Sequence, residues 1–380
     1  MSLATLKLVV IGPAYPYRGG IAYFNTLLCQ QLSARHEVLL CSFKKQYPRI
    51  LFGGRSDRDP SEYAPRIACD YVLSALDPLS WLRCFSMIKR AAPDAIIFHW
   101  WVPFWAPAFG SLAWLIRHSL NVPVLLLCHN VLPHDPFPLA ETLTRFVFRG
   151  AHAFIVQSER DLQDLRRLMP NSLVTKTHHP TYAPLAASRW PRSKAREQLG
   201  LTGPVLLYFG FVRPYKGVEY LLKAIPLVQR AMSVHLLIVG EFWDDKSRYL
   251  RLIQELGLES VVTVVDRYVP IEELGLYFDA ADVIVLPYVD ATQSGVIQLA
   301  YGFGKPVIST NVGGLAEVVR DGETGFLVKP RDANALAEGI VRFFNTHDVD
   351  WAANVERVQE HFAWKYMVEA IEELILQIRS

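Results

Sequence analysis

Arg213 and Lys216 stand three residues apart in "GFVRPYKGVEYLLKA", just past the apolar run "PVLLYF" and just before a stretch with helical periodicity. Gly210 closes the run and Gly217 opens the helix. Cations in such a strand–turn–helix link suit a diphosphate, arginine as a planar fork and lysine as a point charge. Two other segments predict anion-binding turns. In "GPAYPYRGGIAYFNTLL", Gly19 and Gly20 precede an amphipathic helix. Glycine allows close approach there, and the helix start supplies N–H groups and partial positive charge. In "DATQSGVIQLAYGFGKPVIST" the N–H groups of Ser294, Gly295 and Val296 would form an anion nest. The plainer readings are a βα turn, two solvated loop cations and a buried packing helix, since "GVIQLAYGF" is apolar all round.

Other chemistries find little support. His129 and Asn130 end an apolar run, where ligand-facing residues or a structural histidine would sit. His134-Asp135 and His178-His179 lack metal-ligand spacing such as H-E-x-x-H, and no metal site on paired carboxylates is expected. No P-loop and no G-x-S-x-G elbow occurs. The first glycine turn lacks the dinucleotide fingerprint, and "LLCSFKK" ends the second apolar run where an acidic residue would hold a ribose.

The elements that must position these residues are strands alternating with helices. Runs at 6–12, 37–43, 95–100, 122–130 and 152–158, then at 204–211, 234–240, 261–267, 282–288, 305–311 and 325–330, are rich in β-branched and aliphatic residues around apolar cores. Such runs are buried on both faces, as in parallel sheets joined by right-handed crossovers. The chain of 380 residues is long enough for two cores. A proline-rich stretch at 177–195 marks the break. The fold class expected is α/β, with two Rossmann-like, doubly wound domains facing a cleft. Charged residues are 20% and net charge is +2, which gives no global pull toward nucleic acid. Five scattered cysteines suggest neither disulfides nor zinc, and a reducing, cytoplasmic setting is expected. The segment 98–116 is as apolar as a membrane span, but Pro103, Pro107 and Gly110 predict a strand, a turn and a helix from about Ala106.

With "GFVRPYKGVEYLLKA" and "GKPVISTNVGGLAEVVRDGETGFLVKP" in view, the chain resembles the retaining glycosyltransferases of the GT-B fold, family 4 above all. "LLIVGEF" and "RYVPIEELGLYFDAADVIVLPY" follow in the family's order, and the resemblance spans the chain. It implies that Arg213 and Lys216 grip the donor diphosphate and that Gly19 and Gly20 face it from the first domain. It implies that His129 hydrogen-bonds the donor sugar and that the segment around Tyr268 and Val269 meets the base. The C-terminal helix would cross back, giving domains of 1–185 plus 362–380 (acceptor) and 190–361 (nucleotide sugar). The family's two glutamates eight positions apart are missing. Ala291 and Leu299 fall in their register, and one residue earlier Asp290 and Gln298 have the same spacing. Asp290 could touch the sugar and Gln298 a ribose.

The activity implied is transfer of a sugar from a nucleoside diphosphate sugar to an acceptor hydroxyl with retention, without metal or cofactor. Cell-surface polysaccharide or glycolipid synthesis is the setting implied. "WLRCFSMIKR", "WWVPFW" and "RFVFRG" mix aromatics with cations, as a lipid-linked acceptor or a membrane interface would favour. Core aromatics with ordinary surface cations explain the same mixtures. The alternative function is a catalytically silent sugar-nucleotide binding module.

Overall fold

A computed structural model describes residues 4–48, 54–133 and 137–380. The chain divides into two compact units. The first comprises 1–59, 65–178 and 364–380, and the second 60–64 and 179–363.

The first unit is built on a seven-stranded parallel sheet, in the order β3-β2-β1-β4-β5-β6-β7. The strands are β1 (Lys7–Ile11), β2 (Glu37–Lys45), β3 (Cys69–Ser74), β4 (Ala95–Trp100), β5 (Val124–Cys128), β6 (Ala153–Val156) and β7 (Leu173–Lys176). Helices α1 (Gly20–Ser33), α2 (Pro78–Ala91), α3 (Ala106–Ser119), α4 (Ala140–Phe148) and α5 (Glu159–Leu168) form the crossovers. Central strands β4, β5 and β6 are buried at every position, which explains their unbroken apolar runs. Strands β3 and β7 were not expected. They are the sheet's edges, and "CDYVLS" and "LVTK" carry polar residues that interrupt the apolar signal.

The span-like segment folds as β4, a 3₁₀ turn at Pro103–Trp105, and α3. Trp100, Trp101 and Trp105 lie in the core, with Trp105 between Phe43 at 4.0 Å and Phe109 at 5.4 Å. Among the described residues, no helix is long and apolar enough to cross a membrane. The tryptophans of "WWVPFW" are therefore packing residues of this unit.

The second unit carries a six-stranded parallel sheet, in the order β10-β9-β8-β11-β12-β13. The strands are β8 (Val205–Phe209), β9 (His235–Val239), β10 (Val262–Val265), β11 (Val283–Leu286), β12 (Val307–Thr310) and β13 (Gly325–Val328). Helix α6 (Arg192–Leu199) precedes them. Helices α7 (Val218–Gln229), α8 (Lys246–Glu255), α9 (Leu274–Ala280) and α10 (Gly295–Gly302) connect them, and α11 (Ala333–Asn345) and α12 (Trp351–Gln359) follow.

Helix α13 (Trp364–Arg379) belongs to the first unit. There Trp364 packs on Phe24 of α1, and Glu372 accepts from His36 at 2.8 Å and Arg35 at 3.2 Å. The divisions differ from the expected ones for local reasons. Thr181 N–H donates to the Phe362 carbonyl, and Tyr182 packs against Gly295, so 179–185 go with the second unit. Residues 60–64 join it because Ile271 N–H donates to Ser61 Oγ and Glu62 N–H to Glu272.

Candidate functional site

In the second unit, strand order reverses about β8, with β9 on one side and β11 on the other. Ligands of open α/β sheets bind beyond the carboxyl ends of strands at such a point. Gly210 follows β8 directly, and Arg213 and Lys216 lie in and beside the 3₁₀ turn Pro214–Lys216 that leads into α7. That turn is pressed onto the connection after β11. Val289 N–H donates to the Tyr215 carbonyl at 2.7 Å. Gly217 has φ +68°, and a Cβ there would lie 1.9 Å from the Pro287 carbonyl oxygen. Only glycine meets both demands.

Both cations rest on aromatic rings. The Arg213 guanidinium stands 4.6 Å from the Trp243 ring centre, and Lys216 Nζ stands 3.7 Å from that of Tyr288. Burial lowers the Lys216 pKa, the nearby Arg213 lowers it further, and Tyr215 opposes the shift. Lys216 has no carboxylate within ion-pair distance among the described residues. A desolvated ammonium over π faces gains from an anion supplied by a ligand.

The start of α10 lies beside this turn. Val296 packs within 3.6 Å of the Cβ position of Gly210, and Ser294 occupies the N-cap without a capping side-chain bond. The structure thus brings Gly210, Lys216, Ser294, Gly295 and Val296 together at the ends of β8 and β11. Gln298, one turn into α10, is fully buried, and neither its amide oxygen nor its amide nitrogen has a hydrogen-bond partner. An unpaired buried amide is costly and calls for a partner. Asp290 is half-buried on the loop before α10, whereas Ala291 and Leu299 are buried apolar residues. Tyr268 and Val269 follow β10, where Val269 is buried and Tyr268 lies 6.2 Å from Phe211, ring to ring.

In the first unit, Gly19 has φ +113° and caps α1, with Gly20 its first residue. His129 directly follows β5 and is buried, its backbone N–H bonded to the Trp100 carbonyl. The next turn is pinned at Val131, whose N–H donates to Asp161 at 2.8 Å and whose carbonyl accepts from Trp100 at 3.2 Å. His134 and Asp135 lie outside the described residues.

Sequence reasoning missed Trp243, Tyr288 and His99. The first two support the cations, and His99 Nδ1 lies 2.9 Å from His129 Nε2. Each falls at or just beyond a strand's carboxyl end, the signal that could have found them. It also passed over two D-x-D pairs. Asp59 bonds the Tyr23 hydroxyl, and Asp350 caps α12. Among the described residues, no cluster of three or more potential ligands could hold a metal. Two cavities, of about 360 and 480 Å³, open at the amino-terminal ends of the sheets, beside Lys305 and Arg117 respectively. Neither is lined by a residue singled out from the sequence. The strand-end constellations follow the chemistry, and the cavities do not.

Comparisons with known proteins bear on the family and the fold. Residues 203–346 match the family model described as glycosyl transferases group 1, and 19–175 match that of the glycosyl transferase 4-like domain. The D-inositol 3-phosphate glycosyltransferase of Corynebacterium glutamicum (strain R) is 24% identical over 304 residues, 74% of this chain and 71% of its own. The sucrose-phosphate synthase structure from Thermosynechococcus elongatus superposes with TM-score 0.75 at 25% identity, covering 98% of this chain and 99% of that one. The Anabaena protein HepE, solved in complex with UDP, gives TM-score 0.75 at 19% identity over 98% of this chain and all of its own.

Proposed function

From a chain that belongs to the group 1 glycosyltransferases, on the GT-B fold, we propose a transferase that moves a sugar from a nucleoside diphosphate sugar to an acceptor hydroxyl, with retention and without a metal. The observation that carries the donor assignment is Lys216, desolvated over Tyr288 at the reversal of strand order, with Arg213 in the same turn. As the glycosidic bond breaks, negative charge grows on the leaving diphosphate. Cations and helix-start N–H groups held in place beforehand stabilise that charge without reorganising. This set does the electrostatic work a divalent ion does elsewhere. Gly210, Ser294, Gly295 and Val296 would hold the diphosphate through backbone, Gln298 would bond the ribose, and Tyr268 and Val269 would flank the base. Asp290 would reach the sugar. The roles of Gly19, Gly20 and His129 rest on the family resemblance. HepE is solved with UDP and with UDP-glucose, which makes uridine diphosphate sugars the first donors to screen.

We assign donor binding to the second unit and acceptor binding to the first, in the cytoplasm at a membrane face. A lipid-linked acceptor in polysaccharide or glycolipid synthesis is supported by exposed Leu76, Leu79 and Leu82 beside exposed Arg83, Lys89 and Arg90. Exposed Trp114 and Phe146 add apolar surface on α3 and α4. Sedimentation with anionic vesicles at low salt tests this, and failure to bind would remove the membrane contact.

The donor assignment is tested by Arg213→Ala and Lys216→Ala. Each should lower kcat by about 10²- to 10³-fold, the usual loss on removing one preorganised stabiliser. Melting temperature should hold. Unchanged turnover in either variant would refute the roles given to these residues. The missing glutamates favour one competing reading, a silent sugar-nucleotide binder. Turnover of any sugar nucleotide by the wild type excludes it, whereas binding without turnover across donors and acceptors would establish it.

A further inference from the structure

The pairing of two buried imidazoles gives His129 a defined protonation pattern. His99 is fully buried on β4 and His129 is 1% exposed just beyond β5. Their rings lie 5.1 Å apart, and His99 Nδ1 sits 2.9 Å from His129 Nε2. One proton lies between these nitrogens. Phe24 meets both rings edge-on, at 5.9 Å and 4.8 Å. Gly12 passes close to the first ring: a Cβ there would come within 3.0 Å of His99 Cβ and 3.1 Å of its Cδ2.

Burial holds the His99 pKa down at about 3, so at neutral pH this ring is uncharged and carries one N–H. Its Nε2 is buried and has no hydrogen-bond partner. If the proton sat on Nε2, it would be an orphaned buried donor, which folded proteins rarely tolerate. If it sits on Nδ1, it is used in the bond to His129, and only a lone pair is left unmatched.

We propose that His99 is a positioning residue that donates Nδ1–H to His129 Nε2 and thereby fixes His129 as its Nδ1–H tautomer. His129 Nε2, as the acceptor of that bond, is then not available to take a proton. In the proposed reaction, on which this role depends, His129 Nε2 does not act as a general base. The assignment of the proton itself stands whether or not the protein transfers sugar.

Two-bond proton–nitrogen NMR correlation on histidine-labelled full-length protein at pH 7.5 reads the tautomer directly, with His129→Gln assigning the signal. The expected result is Nδ1–H on His129. An Nε2–H tautomer or an imidazolium there overturns the proposal. Two variants extend the test. His99→Asn keeps an N–H donor near the Nδ1 position and should preserve the His129 pattern. His99→Phe removes it and should change the His129 pattern. Should His99→Phe fail to fold, the wild-type spectrum still decides. If turnover is established, kcat should fall at least tenfold in His99→Phe and recover in His99→Asn. Equal losses in both variants would also overturn the positioning role.

Discussion

Asp161 offers a stability test of the turn that holds His129. Its carboxyl is fully buried, accepting from Val131 N–H at 2.8 Å and from the Ser158 hydroxyl at 2.8 Å. Burial raises its pKa from 3.8 to about 6, although both hydrogen bonds pull it down. One pKa unit is worth about 1.4 kcal/mol, so the fold disfavours the ionised form by about 3 kcal/mol. The folded value is the higher one. Its stabilising contribution is therefore complete below about pH 4 and is lost as pH rises through about 6. Between pH 7.5 and pH 5 the wild type should gain about 1.4 kcal/mol relative to a variant that cannot titrate there. Asp161→Asn is that variant. Its oxygen can still accept from Val131 and its amide can donate to Ser158 Oγ. It should be more stable than the wild type at pH 7.5, by up to about 3 kcal/mol, with the gap closing toward pH 4. Urea unfolding at several pH values measures this, following the transition that the substitution moves, because two units need not unfold together. A variant less stable at pH 7.5, with a gap independent of pH, would show that the ionised carboxylate is the favoured state.

Three further outcomes follow from the packing. Gly217→Ala should cost at least about 2 kcal/mol, because a left-handed residue is strained even without the clash with the Pro287 carbonyl; a thermal melt within 1 °C of wild type would contradict it. Gln298→Leu should stabilise the ligand-free protein by about 1–3 kcal/mol, the cost of unpaired buried polar atoms. It should also weaken sugar-nucleotide binding in calorimetry, and tighter binding would remove Gln298 from the site. Glu372→Ala should destabilise the first unit by about 1–3 kcal/mol, since it leaves the buried His36 Nε2–H without its acceptor and half-exposed Arg35 without its carboxylate. Denaturant titration reads that loss, and no change would mean the cluster is solvated.

The fold was legible wherever burial is complete. Strands such as "AIIFHW" and "VLLLC" are buried on both faces, so their sequences announce them. Strands β3 and β7 escaped because an edge strand faces solvent and carries no continuous apolar pattern. The cation turn was legible because glycine, arginine and lysine sit close in sequence. Trp243 and Tyr288 were not, because each reaches its cation from a different strand end. The His99–His129 pair joins residues thirty positions apart through neighbouring strands, a proximity set by sheet order and not by spacing. The state of Gln298 was hidden for a similar reason. A glutamine within an apolar helix shows its burial in the sequence but not its lack of a partner.

Helix α13 also has a consequence for biosynthesis. It packs on α1 and β6 of the first unit, yet the whole second unit separates it from the rest of that unit in the chain. Translation runs from the amino end, so the ribosome finishes the second unit before it makes residues 364–379. Until then, α1 exposes the apolar face that Trp364 covers, and His36 waits for its carboxylate. The domain begun first is completed last, and a nascent chain halted between the end of the second unit and α13 carries one finished unit and one open one.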